Sequence, residues 1–257
     1  MTLKLLVLFL TPLLSGLFIY LVPKSKPTTF KLLLVFAGAY LFGITVIHIL
    51  PELYHQPIAT EWIGLFVLGG FFLQQLLEYF TSGIEHGHIH KHEHHSHEHH
   101  YHSHDQTQKS ISAIVLLVAL CIHAFLEGGM LAEPSHMGPH YDINAILLGI
   151  ALHRAPAAFA LMTVLSFQLG SKRKALPYLI GFSLAAPFGL LISSSLANAE
   201  ILTEEGLILL YALVCGNFLH ISTTIVFESS PDHRFNAKKM AIAVFGALVA
   251  VGVEYII

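Results

Sequence analysis

Four ionisable side chains stand in the middle of otherwise apolar sequence. Ile122-His123-Ala-Phe-Leu-Glu127-Gly-Gly129 carries an imidazole and a carboxylate, and Leu152-His153-Arg154-Ala-Pro156-Ala-Ala-Phe159 carries a second imidazole, a guanidinium and a proline. Side chains four residues apart share one face of a helix, so His123 and Glu127 point the same way if their segment is helical. Two imidazoles and a carboxylate from neighbouring helices supply three nitrogen and oxygen ligands, and a water in the fourth position would complete a labile tetrahedral zinc site. Pro156 removes a backbone donor and disturbs its helix, which leaves carbonyls unpaired beside such a site. Ionisable groups inside a bilayer are costly and mark function by default, so His123, Glu127 and His153 are expected to hold a metal ion. His48 and His220, each taken alone, read as hydrogen-bonded packing between helices.

These groups need elements to position them, and the composition says which. Hydrophobic residues make up 54% of the 257-residue chain and charged residues 11%, against about 25% charged in a soluble domain. A membrane span needs about 20 mostly apolar residues. Such runs fall near 5–22, 30–50, 60–81, 111–132, 143–169, 174–198, 205–228 and 239–256. The fold class is therefore an all-α polytopic membrane protein, a bundle of eight transmembrane helices forming one domain over 1–257. Prolines and charges punctuate most links: Pro23 to Pro27, Pro57, Pro134 and Pro139, Lys172 to Lys174, and Pro231. The first run, Leu5 to Val22, lacks a small-residue cleavage site and is read as a span rather than a signal peptide. Cys121 and Cys215 both lie in apolar runs and suggest neither a CxxC site nor a disulfide framework. A net charge of -3 with no basic stripe argues against nucleic acid as a partner.

Orientation follows from Lys and Arg, which concentrate on the cytoplasmic side. Lys24, Lys26, Lys31, Lys91, Lys109, Lys172, Arg173, Lys174, Arg234, Lys238 and Lys239 all fall in or beside the links between spans one and two, three and four, five and six, and seven and eight. That places eleven of the 13 basic residues on one face and both termini outside the cytoplasm. The opposite face is acidic, with Glu52, Glu61, Glu133, Asp142, Glu200, Glu204 and Glu205, and would raise the local cation concentration. On that face Glu52, His55, Glu133, His136, His140 and Asp142 are candidates for a weak capture site above the path.

The link after span three is of a different kind. His86, His88, His90, His92, His94, His95, His97, His99, His100, His102 and His104 are eleven histidines in the nineteen positions 86–104. Such low-complexity sequence cannot pack a core, so residues 82–110 are expected to form a disordered cytoplasmic loop. Neutral imidazole ligates zinc, copper and nickel, so this loop is expected to bind metal. It is not the transport site, because a floppy loop does not cross the bilayer.

At these residues the chain resembles the ZIP (ZRT/IRT-like) family of divalent-metal transporters. His123-Ala-Phe-Leu-Glu127-Gly128 resembles the family's His-x-x-x-Glu-Gly signature in the fourth span, and His153-Arg-Ala-Pro156 its His-x-x-Pro stretch in the fifth. Weaker echoes are Ile47-His48-Ile49-Leu50-Pro51-Glu52 in the second span, Gly70 to Glu78 in the third and Gly216-Asn-Phe-Leu219 in the seventh. The resemblance implies that spans four and five line the metal path. It implies movement toward the cytoplasm by alternating access, often in a homodimer, with His123, Glu127 and His153 as ligands. Many members build a second, adjacent metal site from polar residues that here are Ala124, Arg154, Ala157 and Ala186, so a single-metal core is expected. Arg stays protonated even when desolvated, and Arg154 is expected to stand as a fixed, site-shaping cation where a second metal would sit, pairing with Glu127 or another acceptor. The competing reading of Arg154 is that it snorkels away from the path.

The expected function is transport of a divalent metal, with zinc first and Fe2+, Mn2+ or Cd2+ also suited to His plus carboxylate, and no organic cofactor. The expected partners are the bilayer and the metal ion. The short chain without a large outer domain points to a bacterial inner membrane. The chief alternative is an intramembrane zinc-dependent hydrolase, since zinc on such ligands activates water; no His-Glu-x-x-His motif supports it. A membrane haem protein would use His48, His123, His153 and His220 as axial ligands. A cation-diffusion exporter would show intramembrane aspartates, and none falls in these spans.

Overall fold

The computed structural model describes residues 1–21, 27–81, 113–132, 143–228 and 237–256. The apolar runs are helical, and no strand occurs among the described residues. The elements are α1 (Thr2–Leu17, continued by a 3-10 turn Phe18–Tyr20), α2 (Pro27–Ile44), α3 (Leu50–Tyr54), α4 (Thr60–Thr81), α5 (Ala113–Met130), α6 (Ile143–Gln168), α7 (Lys172–Asn198), α8 (Glu204–Glu228) and α9 (Ala237–Ile256). Six stretches among the described residues are long and apolar enough to cross a membrane, and Leu117–Met130 in α5 forms a shorter apolar helix. α5 and α9 with these six match the eight hydrophobic runs of the sequence. Trp62, Leu65, Leu68, Phe72 and Leu76 of α4, and Val244, Phe245 and Leu248 of α9, lie exposed. Apolar patches of this kind are suited to lipid rather than to water.

The second span runs further than its sequence suggests. A π-helical turn, Thr45–Ile49, joins α2 to α3, so the helix passes through Pro51 and ends at Tyr54. A proline inside an α-helix clashes with the carbonyl four residues back. The wider π-turn immediately ahead relieves that crowding, which is why the span continues through Pro51.

The helices pack as two groups. α5 lies on α7 and α1 on α6 and α7, while α4 lies on α8 and α2 on α9 and α8. The groups meet along α2 with α6 and along α5 with α4 and α8, and Tyr40 Oη on α2 donates to Ala145 O on α6 at 3.3 Å. Two glycine pairs set the tightest approaches. A Cβ on Gly128 would strike Ala186 O and one on Gly189 would strike Phe125 O, so α5 and α7 touch backbone to backbone. Gly70 against Leu213 O and Gly216 against Val67 O do the same for α4 and α8. Small residues that admit such approach are how helices associate in lipid, where apolar burial against tails drives little. Lys172 ties down the 3-10 turn that ends α1 by donating from Nζ to Ile19 O at 2.8 Å.

Candidate metal site

α5 and α6 bring the sequence-expected trio together. His123 Nε2 stands 3.0 Å from Glu127 Oε1, as the helical repeat requires, and His153 Nε2 of α6 approaches the same oxygen at 3.9 Å. The two imidazoles meet edge to face with centroids 5.7 Å apart. One ligand atom from each of His123, Glu127 and His153 falls within 4.8 Å of the others, and among the described residues this is the one cluster of three or more such side chains. All three are buried, and Glu127 has no exposed surface. Pro156 leaves Leu152 O, beside His153, without its usual helical donor.

Arg154 closes the other side. Its Nη1 lies 4.0 Å from Glu127 Oε2, its Nη2 donates to Phe182 O at 3.0 Å, and its guanidinium stacks 4.8 Å from the Phe182 ring centroid. It is 1% exposed, which excludes snorkelling. The carboxylate of Glu127 is thereby divided: Oε1 faces the imidazoles and Oε2 faces the cation. Ala124, Ala157 and Ala186 are buried and offer no ligand. Phe182, which anchors Arg154, went unread in the sequence; it lies 28 residues away on α7, and no local pattern connects the two.

Of the outer capture candidates, only Glu52 and His55 lie among the described residues. Glu52 is half-buried and its Oε1 accepts from Gln56 Nε2 at 2.8 Å, while exposed His55 Nδ1 lies 2.7 Å from Pro51 O, so both are engaged in finishing α3. Glu133, His136, His140 and Asp142, and the histidines from His86 to His104, lie outside the described residues. His220 pairs with Glu78, Nδ1 to Oε2 at 3.4 Å. That supports interhelical packing for His220 and adds a partner not foreseen from the sequence, although Glu78 stands in the third-span motif.

Apolar helices long enough to cross a membrane surround a buried imidazole–carboxylate cluster that could hold a metal ion, and comparison with known sequences gives the class. The chain belongs to the ZIP zinc transporter family, which it matches over residues 1–108 and 83–254. It is similar to zinc transporter ZIP9-A of Xenopus laevis, with 30% identity over 122 residues, 45% of this chain and 39% of that protein. The match thus spans well under half of that relative's length. The resemblance read from the fourth- and fifth-span motifs is borne out. The matched family and this similar protein are both described as zinc transporters.

Proposed function

We propose that the protein carries one divalent metal ion at a time, zinc in preference, toward the cytoplasm through a mononuclear site of His123, Glu127 and His153. The observation that carries this reading is the convergence of three ligand atoms from two helices within 4.8 Å, fully buried in a membrane bundle. Metal gathers at the acidic outer face, sheds water for the two Nε2 atoms and Glu127 Oε1, and leaves inward as the helices alternate access. A fourth, exchangeable water keeps the ion labile. Arg154 lends its charge to Glu127 Oε2, neutralises the empty site and stands where a second ion would bind. Fe2+, Mn2+ and Cd2+ accept the same donors, so selectivity rests on geometry and supply more than on ligand type. The hydrolase alternative has no support from the family or from a general base beside the trio.

The test is zinc flux into proteoliposomes. Flux is expected in the full chain, lost in His123→Ala, Glu127→Ala and His153→Ala, and retained when 86–104 are deleted. Correctly folded point variants that carry zinc at the full rate would refute the site. Failure of the full chain to move zinc, iron, manganese or cadmium would refute transport.

A further inference from the structure

The trio does not account for the other buried polar cluster, which lies in the seam between α4 and α8. Glu78 sits three residues before α4 ends and His220 eight before α8 ends. The contacts of Gly70 with Leu213, Gly216 with Val67 and Phe71 with His220 show the two helices running parallel and in register. In that register His220 falls between Phe71 and Glu78, at the level of Gln74. Asn217 lies one turn from His220 on the same face of α8. Gln74 and Asn217 are completely buried and His220 is 6% exposed.

Three observations distinguish this cluster from ordinary polar packing. First, both amide atoms of Asn217 are buried without a hydrogen-bond partner among the described residues, and its oxygen is a costly buried acceptor unless a donor or a cation meets its lone pairs. Second, the 3.4 Å between His220 Nδ1 and Glu78 Oε2 is long for a hydrogen bond, whose usual length is about 2.9 Å. Two ligands bonded to one tetrahedral zinc ion at its ordinary distances stand about 3.3–3.4 Å apart. Third, the groups are held in place. The reciprocal glycines pin the helices, and Phe71 meets the His220 ring edge-on with centroids 4.8 Å apart. Preorganised ligands of this kind are what an ion site requires.

We infer that Glu78 and His220 form a second metal site, for a divalent cation of the zinc–manganese class, separate from the trio on α5 and α6. The imidazole and carboxylate are the primary ligands, and the amide oxygens of Asn217 and Gln74 are placed to complete the shell with water. A set with one nitrogen and otherwise oxygen donors suits zinc, manganese and iron(II) and disfavours copper(I). The site stands independently of what the trio does.

The experiment is anomalous diffraction at the zinc edge from crystals of the full chain grown with zinc, paired with zinc content by elemental analysis. A peak is expected between Glu78 and His220, to be lost in His220→Phe, which keeps a ring against Phe71, while a peak at the trio persists. Zinc content should fall by one ion per chain, with the histidine-rich segment contributing equally to both proteins. If His220→Phe does not fold, Glu78→Gln replaces it with the same expectation. A peak at the trio with none in the seam, or unchanged zinc content in the variant, overturns the inference. A seam peak with none at the trio supports it and counts instead against the proposed transport site.

Discussion

Replacing Arg154 by Met should make the protein bind its metal more tightly and release it more slowly. Both imidazoles lean toward Glu127 Oε1, so an ion held by the proposed trio would sit on that oxygen, away from Arg154. Arg154 Nη1 is 4.0 Å from the other oxygen, and a bond of about 2 Å from Oε1 puts the metal about 6 Å from the guanidinium. A divalent ion and a unit cation at that separation repel by about 5 kcal/mol at an effective dielectric of about 20. Removing the guanidinium also strips the empty carboxylate of its partner, a change that costs about 3–5 kcal/mol when both groups are buried. Both effects favour the loaded form. Relaxation and entering water offset much of them, which leaves a gain of at least about 1.4 kcal/mol, or tenfold in affinity. The assay is a zinc concentration series in proteoliposomes together with calorimetric binding to the variant lacking 86–104. Apparent Km and maximal flux should both fall in Arg154→Met, while Arg154→Lys, which keeps the charge, should stay near the parent affinity. A folded Arg154→Met with unchanged or weakened binding would refute the view that this cation tunes the site.

Arg154→Asp goes further, since it supplies an oxygen ligand where the cation stood; it should raise the bound zinc by one ion per chain, and an unchanged elemental count would speak against a displaced second site. Gly189→Ala forces a methyl onto Phe125 O and should lower stability by about 1–3 kcal/mol, whereas Gly69→Ala meets nothing within 4 Å and should leave the melting temperature in detergent unchanged. If Glu52 and His55 belong to an outer capture site, Glu52→Gln with His55→Ala should raise the apparent Km and spare the maximal rate; a fall in rate at constant Km would remove them from that role.

The parts of this fold that rest on local regularities were open to reading in the sequence. Long apolar runs can satisfy their backbone in lipid only as helices, so the spans were placed within a few residues of α1, α4 and α6 to α9. The helical repeat pairs His123 with Glu127, and His153 joins them as a second mid-span imidazole on the next apolar run. What escaped depends on distant contacts. The second span overran its expected end because the π-turn accommodates Pro51, and no residue in Thr45–Ile49 announces such a turn. Phe182 meets Arg154 through the packing of α6 on α7. Glu78 ends the third-span motif and His220 directly follows the seventh-span one, and their meeting follows from the register that Gly70 and Gly216 impose on α4 and α8. Those two glycines opened both weaker motifs, so the signal was present without the geometry that gives it meaning.

The two backbone-to-backbone contacts also have a mechanical consequence. Helices separated by side chains can slide, because rotamers yield; helices whose carbonyls rest on the Cα atoms of glycines have no compliant layer between them. α5 with α7, and α4 with α8, therefore behave as stiff double struts. Relative movement is left to the joints between the struts, where α2 meets α6 and α4 meets α5, and His123 and Glu127 on α5 travel with whatever α7 does.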